Sequence, residues 1–184
     1  DFKDRDCHFI FGDVCTAMIL EKKDTAQSNN SFEILSTKCI TQFSNNIRNN
    51  FGFLNNAKKS SPLDRDLLFM QEGRKVFKEV VPMVSQLIID HVTEEKIKID
   101  EIKRLWLHQA NKSMNDFIGK KVLGRIPKDH EQPNILQDYA NTSSAGSIIA
   151  FSLYSEDMKS DEIGVLCSFG AGYSAGSIIL KKTS

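Results

Sequence analysis

The sequence has no long apolar run, no paired cysteine spacing and no net charge, and each absence narrows what the chain can be. No stretch approaches the roughly 18 consecutive apolar residues that a membrane span needs. No signal-peptide pattern opens it either, so the expectation is a cytoplasmic protein with no membrane contact. Its 24 basic and 24 acidic side chains cancel. That removes the single-sign field by which nucleic acid or a charged membrane surface would be held. Cys7, Cys15, Cys39 and Cys167 form no C-x-x-C pair, a pattern of reduced thiols rather than of a disulfide framework. His8, His91, His108 and His130 show no metal-ligand spacing, so no structural metal is expected.

What is present is enough for one folded core. The 184 residues are 40% hydrophobic and 26% charged, the balance of an ordinary globular domain. Cys7 to Phe11 and Val14 to Glu21 read as two strands joined tightly at Gly12-Asp13. Phe32 to Ile40 reads as a third. Phe43 to Pro62 is a long polar stretch carrying Phe43, Phe51, Phe53 and Leu54, either an ordered surface excursion or one wall of a substrate tunnel. Phe69 to Val92 is the clearest helix. Phe69, Gly73, Val76, Phe77, Val80, Val84, Leu87, Ile88 and His91 keep a period near 3.6, and Pro82 must kink or split it. His91 on that face reads as a packed histidine. Asn111 to Leu123 is a second helix stopped by Gly124, Ile126 to Asn134 a connector, and Thr142 to about Tyr154 a third helix. Gly164 to Phe169 and Ser174 to Lys181 close the chain as strands. Cys15 and Cys167 fall within strands, as small buried side chains.

Three segments interrupt this pattern with chemistry. Leu105-Trp106-Leu107 ends a buried strand at His108-Gln109-Ala110-Asn111, just before a helix. Asn141-Thr142-Ser143-Ser144 opens another helix, and Phe169-Gly170-Ala171-Gly172-Tyr173 turns between two strands. Ligand chemistry in α/β sheets collects where strands end and helices begin, so the three are expected to meet at one site. Taken singly, each also has a plainer reading: His108 as a core or capping histidine, Asn141 as an N-cap. Gly170-Ala171-Gly172 is equally a hairpin turn, and Phe169 equally a packed ring.

Together and in this order, the motifs closely resemble the C-terminal part of β-ketoacyl-acyl-carrier-protein synthase III, a condensing enzyme of the thiolase superfamily. Asp4-Arg5 with Phe11-Gly12-Asp13 resembles the end of that family's N-terminal half, and Gly73-Arg74-Lys75-Val76-Phe77 the start of its long C-half helix. The resemblance implies an α/β, thiolase-like fold, a layered mixed sheet with helices on both faces. Residues 1–22 would be the last strands of the N-terminal half. Residues 23–70 would start the C-terminal half with a strand and long loop, and residues 71–184 would carry its active-site histidine and asparagine. The implied reaction is a decarboxylative Claisen condensation between an acyl thioester and malonyl on its carrier, in fatty-acid or related acyl synthesis. His108 and Asn141 match the pair that stabilises the enolate. Ala171 matches a backbone N–H of the second oxyanion hole, and Phe169 a phenylalanine beside the reacting carboxylate. Gly73, Phe77, Ala110 and Asn111 match positions along the pantetheine arm.

The resemblance also implies no resident cofactor, since substrates ride on phosphopantetheine of acyl carrier protein or of coenzyme A. Where many members carry arginine after the His-Gln-Ala-Asn run, this chain has Ser113. Arg74 and Lys112 are the candidates to supply that charge. None of the four cysteines matches the family nucleophile, which comes from the absent N-terminal half. The chain alone is therefore expected to be inactive, and the intact protein a homodimer. Two other functions fit the same motifs: an acyltransferase of this fold that does not decarboxylate, and a non-catalytic half-subunit that pairs with a catalytic chain.

Overall fold

The computed structural model describes residues 10–26, 28, 30–49 and 69–183. Its centre is a four-stranded mixed sheet of β1 (Phe32–Ser44), β4 (Ile102–Leu107), β5 (Ile163–Gly170) and β6 (Gly172–Lys182), in the order β1-β6-β5-β4. β4 and β5 run parallel, while β6 is antiparallel to both β5 and β1. A small ribbon of β2 (Ile47–Asn49) and β3 (Phe69–Gln71) stands apart. The helices are α1 (Gly73–Glu94), α2 (Lys112–Leu123), α3 (Leu136–Tyr139) and α4 (Ala145–Leu153).

Side chains alternate across strands, so each strand feeds two layers. Leu105, Leu107, Val165, Cys167, Tyr173, Ala175 and Ile179 face one way, into a core with α1 and α2. Trp106, Leu166 and Leu180 face the other, against Ile149 and Ala150 of α4. The sheet therefore carries helices on both faces, the layered α/β arrangement expected from the sequence.

Helix α1 buries Val76, Val80, Val81, Val84, Leu87, Ile88, His91 and Val92. His91 is packed and satisfied, its two ring nitrogens bonded to Ser177 (2.9 Å) and Ser36 (3.1 Å). Pro82 does not split this helix, which runs unbroken from Gly73 to Glu94. Pro82 and Lys78 are both exposed, so the Lys78 carbonyl that loses its donor faces water, where the loss costs least. Helix α2 starts where Asn111 Oδ1 accepts the Met114 N–H at 3.1 Å, and stops at Gly124, whose φ of 68° only glycine adopts readily.

Five sequence expectations need correction. Val14 to Glu21 is not a strand: no described strand pairs with it, and Val14, Met18, Ile19 and Leu20 are 41–91% exposed. Alternating apolar residues make a strand only where a sheet edge accepts them. Cys15 is correspondingly exposed, and Gly12-Asp13 is no hairpin, because the Gly12 N–H goes instead to the Asn141 carbonyl. Phe69 belongs to β3, not to the helix. The third helix begins at Ala145 rather than Thr142, since Ser143 has φ of +57°, a value no right-handed helix contains. Residues 7–9 of the strand expected at Cys7 to Phe11, the Asp4-Arg5 match and most of the Phe43 to Pro62 stretch lie outside the described residues, and Phe11 forms only an isolated bridge, to Asn141. Within that stretch, Phe43 belongs to β1 and is 84% exposed.

Candidate active site

His108 follows directly on β4, and its N–H extends the parallel pairing by bonding the Cys167 carbonyl at 2.8 Å. The side chain is buried, with its ring 4.7 Å from that of Phe169 and tilted by 60°. Burial pushes the imidazole down to about 4, against a smaller opposing pull from the Ser143 backbone. At neutral pH it is therefore uncharged, one nitrogen donating and the other accepting. Nδ1 has no hydrogen-bond partner among the described residues.

Asn141 is held from both sides. Its N–H donates to the Ile10 carbonyl (2.8 Å), its carbonyl accepts from Gly12 (3.0 Å), and Phe11 forms a parallel bridge with it. Gly12 is glycine for a reason: a Cβ there would lie 2.4 Å from the Tyr139 carbonyl oxygen. Asn141 Oδ1 accepts the Ser143 N–H at 3.0 Å. That bond fixes which way the amide faces, leaving the NH2 as a donor. Asn141 thus closes the turn before α4 without being that helix's cap, which is Ser144.

A cavity of about 1220 Å³ gathers the residues singled out by sequence. His108, Ala110 and Asn111 line it from the end of β4, Gly73 and Phe77 from the first turns of α1, and Phe169 and Ala171 from the β5–β6 turn. Asn141 completes the set. Ala171 has no positive φ, so its Cβ is unstrained. The left-handed position falls instead on Gly172, at φ 135°. Phe77 meets Phe117 of α2 edge to face at 5.5 Å. Arg74 also lines the cavity, whereas Lys112 is bound to Asp116 at 2.9 Å. The sequence reading did not place Ile10, Phe11, Ile47, Phe69 or Met114 at this cavity, although they line it too. Only Phe11 had left a signal, in its Phe-Gly-Asp motif.

A second cavity, about 970 Å³, lies beside α2 and the connector before α3; of the residues expected at the active site none borders it, and of the two candidate charges only Lys112 does. Among the described residues no group of three His, Cys, Asp or Glu could hold a metal ion. Among the described residues no helix is long and apolar enough to cross a membrane. Cys167 is fully enclosed, and burial pushes its thiol up to about 12, which leaves it protonated and unreactive at neutral pH.

Comparison with known proteins follows the same outline. Residues 92–182 match the family described as 3-oxoacyl-[acyl-carrier-protein] synthase III C terminal. A β-ketodecanoyl-[acyl-carrier-protein] synthase of Pseudomonas aeruginosa is 60% identical over 182 residues, 99% of this chain and 52% of that protein. A β-ketoacyl-[acyl-carrier-protein] synthase III of Wolbachia sp. subsp. Brugia malayi is 30% identical, over 98% of this chain and 54% of its own. The chain spans about half the length of the curated relatives it matches. The structure of 3-oxoacyl-[acyl-carrier-protein] synthase III from Aquifex aeolicus superposes with a TM-score of 0.67 at 21% identity, over 84% of this chain and 46% of that one. A priming β-ketosynthase of the R1128 polyketide pathway gives 0.69 at 18%, over 82% and 45%. Both share the fold.

Proposed function

Residues 92–182 belong to the C-terminal domain family of 3-oxoacyl-[acyl-carrier-protein] synthase III, and from that premise we propose that the intact protein is a decarboxylating condensing enzyme. An acyl group waits on a cysteine of the intact protein. Malonyl thioester enters the cavity, its C–CO2⁻ bond breaks, and the electron pair passes into the enolate. The thioester oxygen becomes negative at that moment. His108, neutral, and the Asn141 NH2 donate to it. The enolate carbon then attacks the acyl-cysteine, and the thiolate leaves as the β-ketoacyl thioester forms. The Ala171 backbone N–H serves the oxyanion of that second step.

The observation that carries this reading is the pairing of a buried, uncharged imidazole with a carboxamide whose oxygen is already engaged, both lining one cavity. Two preorganised neutral donors stabilise a developing oxyanion without the cost of burying a charge. Phe169 against the imidazole makes the malonyl carboxylate's surroundings apolar, which favours loss of the charge as carbon dioxide. Gly73, Phe77, Ala110 and Asn111 lie along the path of the pantetheine arm of acyl carrier protein or coenzyme A. The product named for the 60% identical relative has ten carbons. Malonyl contributes two, so the acyl substrate expected here has eight. On the same reading the intact enzyme is a cytoplasmic homodimer.

The test is carbon dioxide release from malonyl thioester offered alone to the full-length enzyme. His108→Ala and Asn141→Ala should each reduce it by about 10²–10³-fold. Unchanged release in either variant would refute the role. Absence of release in the unaltered enzyme, with acyl transfer intact, would mark an acyltransferase that does not decarboxylate.

A further inference from the structure

We propose that Gln109 is a positioning residue for the enolate site: its buried carboxamide ties the strand end bearing His108 to the connector bearing Asn141. This rests on the reading of His108 and Asn141 given above. Gln109 is 0% exposed and does not line the cavity, so it can act only through its neighbours.

Among the described residues β4 is the last strand of its sheet, and the connector before α3 meets its open edge at Glu131. One backbone bond joins them, from Leu105 N–H to the Glu131 carbonyl at 2.8 Å. A regular ladder cannot continue, because Pro133 has no N–H to donate. Gln109 takes over. Its NH2 donates to the Leu107 carbonyl (2.9 Å) and to the Pro133 carbonyl (3.3 Å), while its Oε1 accepts the Ile135 N–H (3.1 Å). Each of these groups would otherwise be a buried, unpaired polar atom.

The link from there to Asn141 is short and stiff. Ile135 precedes α3, its carbonyl accepts from Asp138 and Tyr139, and Ala140 bonds back to Leu136. Asn141 comes next. On its other flank Gln109 is seated by Gly146 in the first turn of α4, where an added Cβ would lie 2.9 Å from Gln109 Cβ. One carboxamide therefore fixes the spacing between the two donors that must converge on a single oxygen.

The experiment uses the full-length enzyme with two variants. Gln109→Met keeps the volume but removes every hydrogen bond. Gly146→Ala keeps every hydrogen-bonding group but displaces Gln109. Acylation of the cysteine needs the other oxyanion hole, so it should stay within about twofold in both variants. Malonyl decarboxylation should fall about a hundredfold in Gln109→Met and about tenfold in Gly146→Ala, with KM for malonyl thioester little changed. A parallel loss of acylation and decarboxylation, or no loss of either, overturns the proposal. Should Gln109→Met fail to fold, Gly146→Ala decides alone. His108→Ala is the control: if it retains decarboxylation, the functional reading fails first. If it loses decarboxylation while both other variants keep theirs, only the role of Gln109 is lost.

Discussion

Acidification should reveal how deeply the imidazole of His108 is withdrawn from water. Its pKa falls from the ordinary 6.5 to about 4 because burial penalises the charged form. The unfolded chain therefore takes up this proton before the folded one does. Stability contributed by the neutral imidazole is complete above pH 6.5 and is lost as pH falls toward 4. With each tenfold difference in proton affinity worth about 1.4 kcal/mol, the full loss is about 3 kcal/mol, most of it already felt at pH 4.5. The comparison to make is wild type against His108→Gln, which cannot titrate. Urea unfolding of the full-length protein from pH 7.5 to 4.5 should show wild type losing roughly 2–3 kcal/mol more than the variant. His91, also held below its ordinary value by burial, is common to both proteins and cancels. Histidine-selective NMR, with the resonance identified by its absence in the variant, should give a midpoint near 4. A midpoint at or above 6, or parallel stability profiles, would refute the claim that this side chain is dry and neutral.

Three other changes have calculable outcomes. Gly164→Ala in β5 would place a Cβ 2.3 Å from the Trp106 ring, which Phe32 and Phe151 hold edge-on at 5.9 and 4.9 Å. The overpacking should cost about 1–3 kcal/mol and lower Tm by about 2–4 °C for each, read by differential scanning calorimetry. Asn111→Ala removes the cap of α2 and should cost about 1 kcal/mol in a urea titration. Asn141→Asp keeps an acceptor for the Ser143 N–H but replaces the donor with negative charge. Carbon dioxide release should drop at least 10²–10³-fold with acylation intact, and the His108 imidazole should titrate higher beside the new carboxylate.

Local rules disclosed the part of the molecule whose signals are local. The apolar run into His108, the Asn111 cap and the Gly124 stop fixed β4 and α2 to within a residue, and the 3.6 period exposed the buried face of α1. Where a partner decides the outcome, the same rules misled. Val14 to Leu20 has the composition of a strand, but nothing in those residues says whether a sheet edge is at hand. Phe69 continues the apolar spacing of α1 and yet lies in β3, too short to show a period of its own. The +57° φ of Ser143 delays α4 with no residue that would announce it. The candidate site was legible because its motifs are side chains. What holds Asn141 was not, since Ile10 and Gly12 act through backbone groups. Gln109, a polar residue at a strand end, gives no sign from composition that it is fully enclosed.

The outermost strand of the sheet carries a consequence for how these molecules meet one another. Among the described residues β1 pairs only on the β6 side, so a row of amide and carbonyl groups is left along a 13-residue border. Such a border invites a foreign chain to lengthen the sheet and start a clump. Register shifts between Ile34 and Ser36 and again between Thr41 and Ser44 break it near both ends, and Lys38, ion-paired with Glu94, stands in the middle. Only the few residues between the two shifts stay in step. That leaves any intruding segment a foothold too short to grow from.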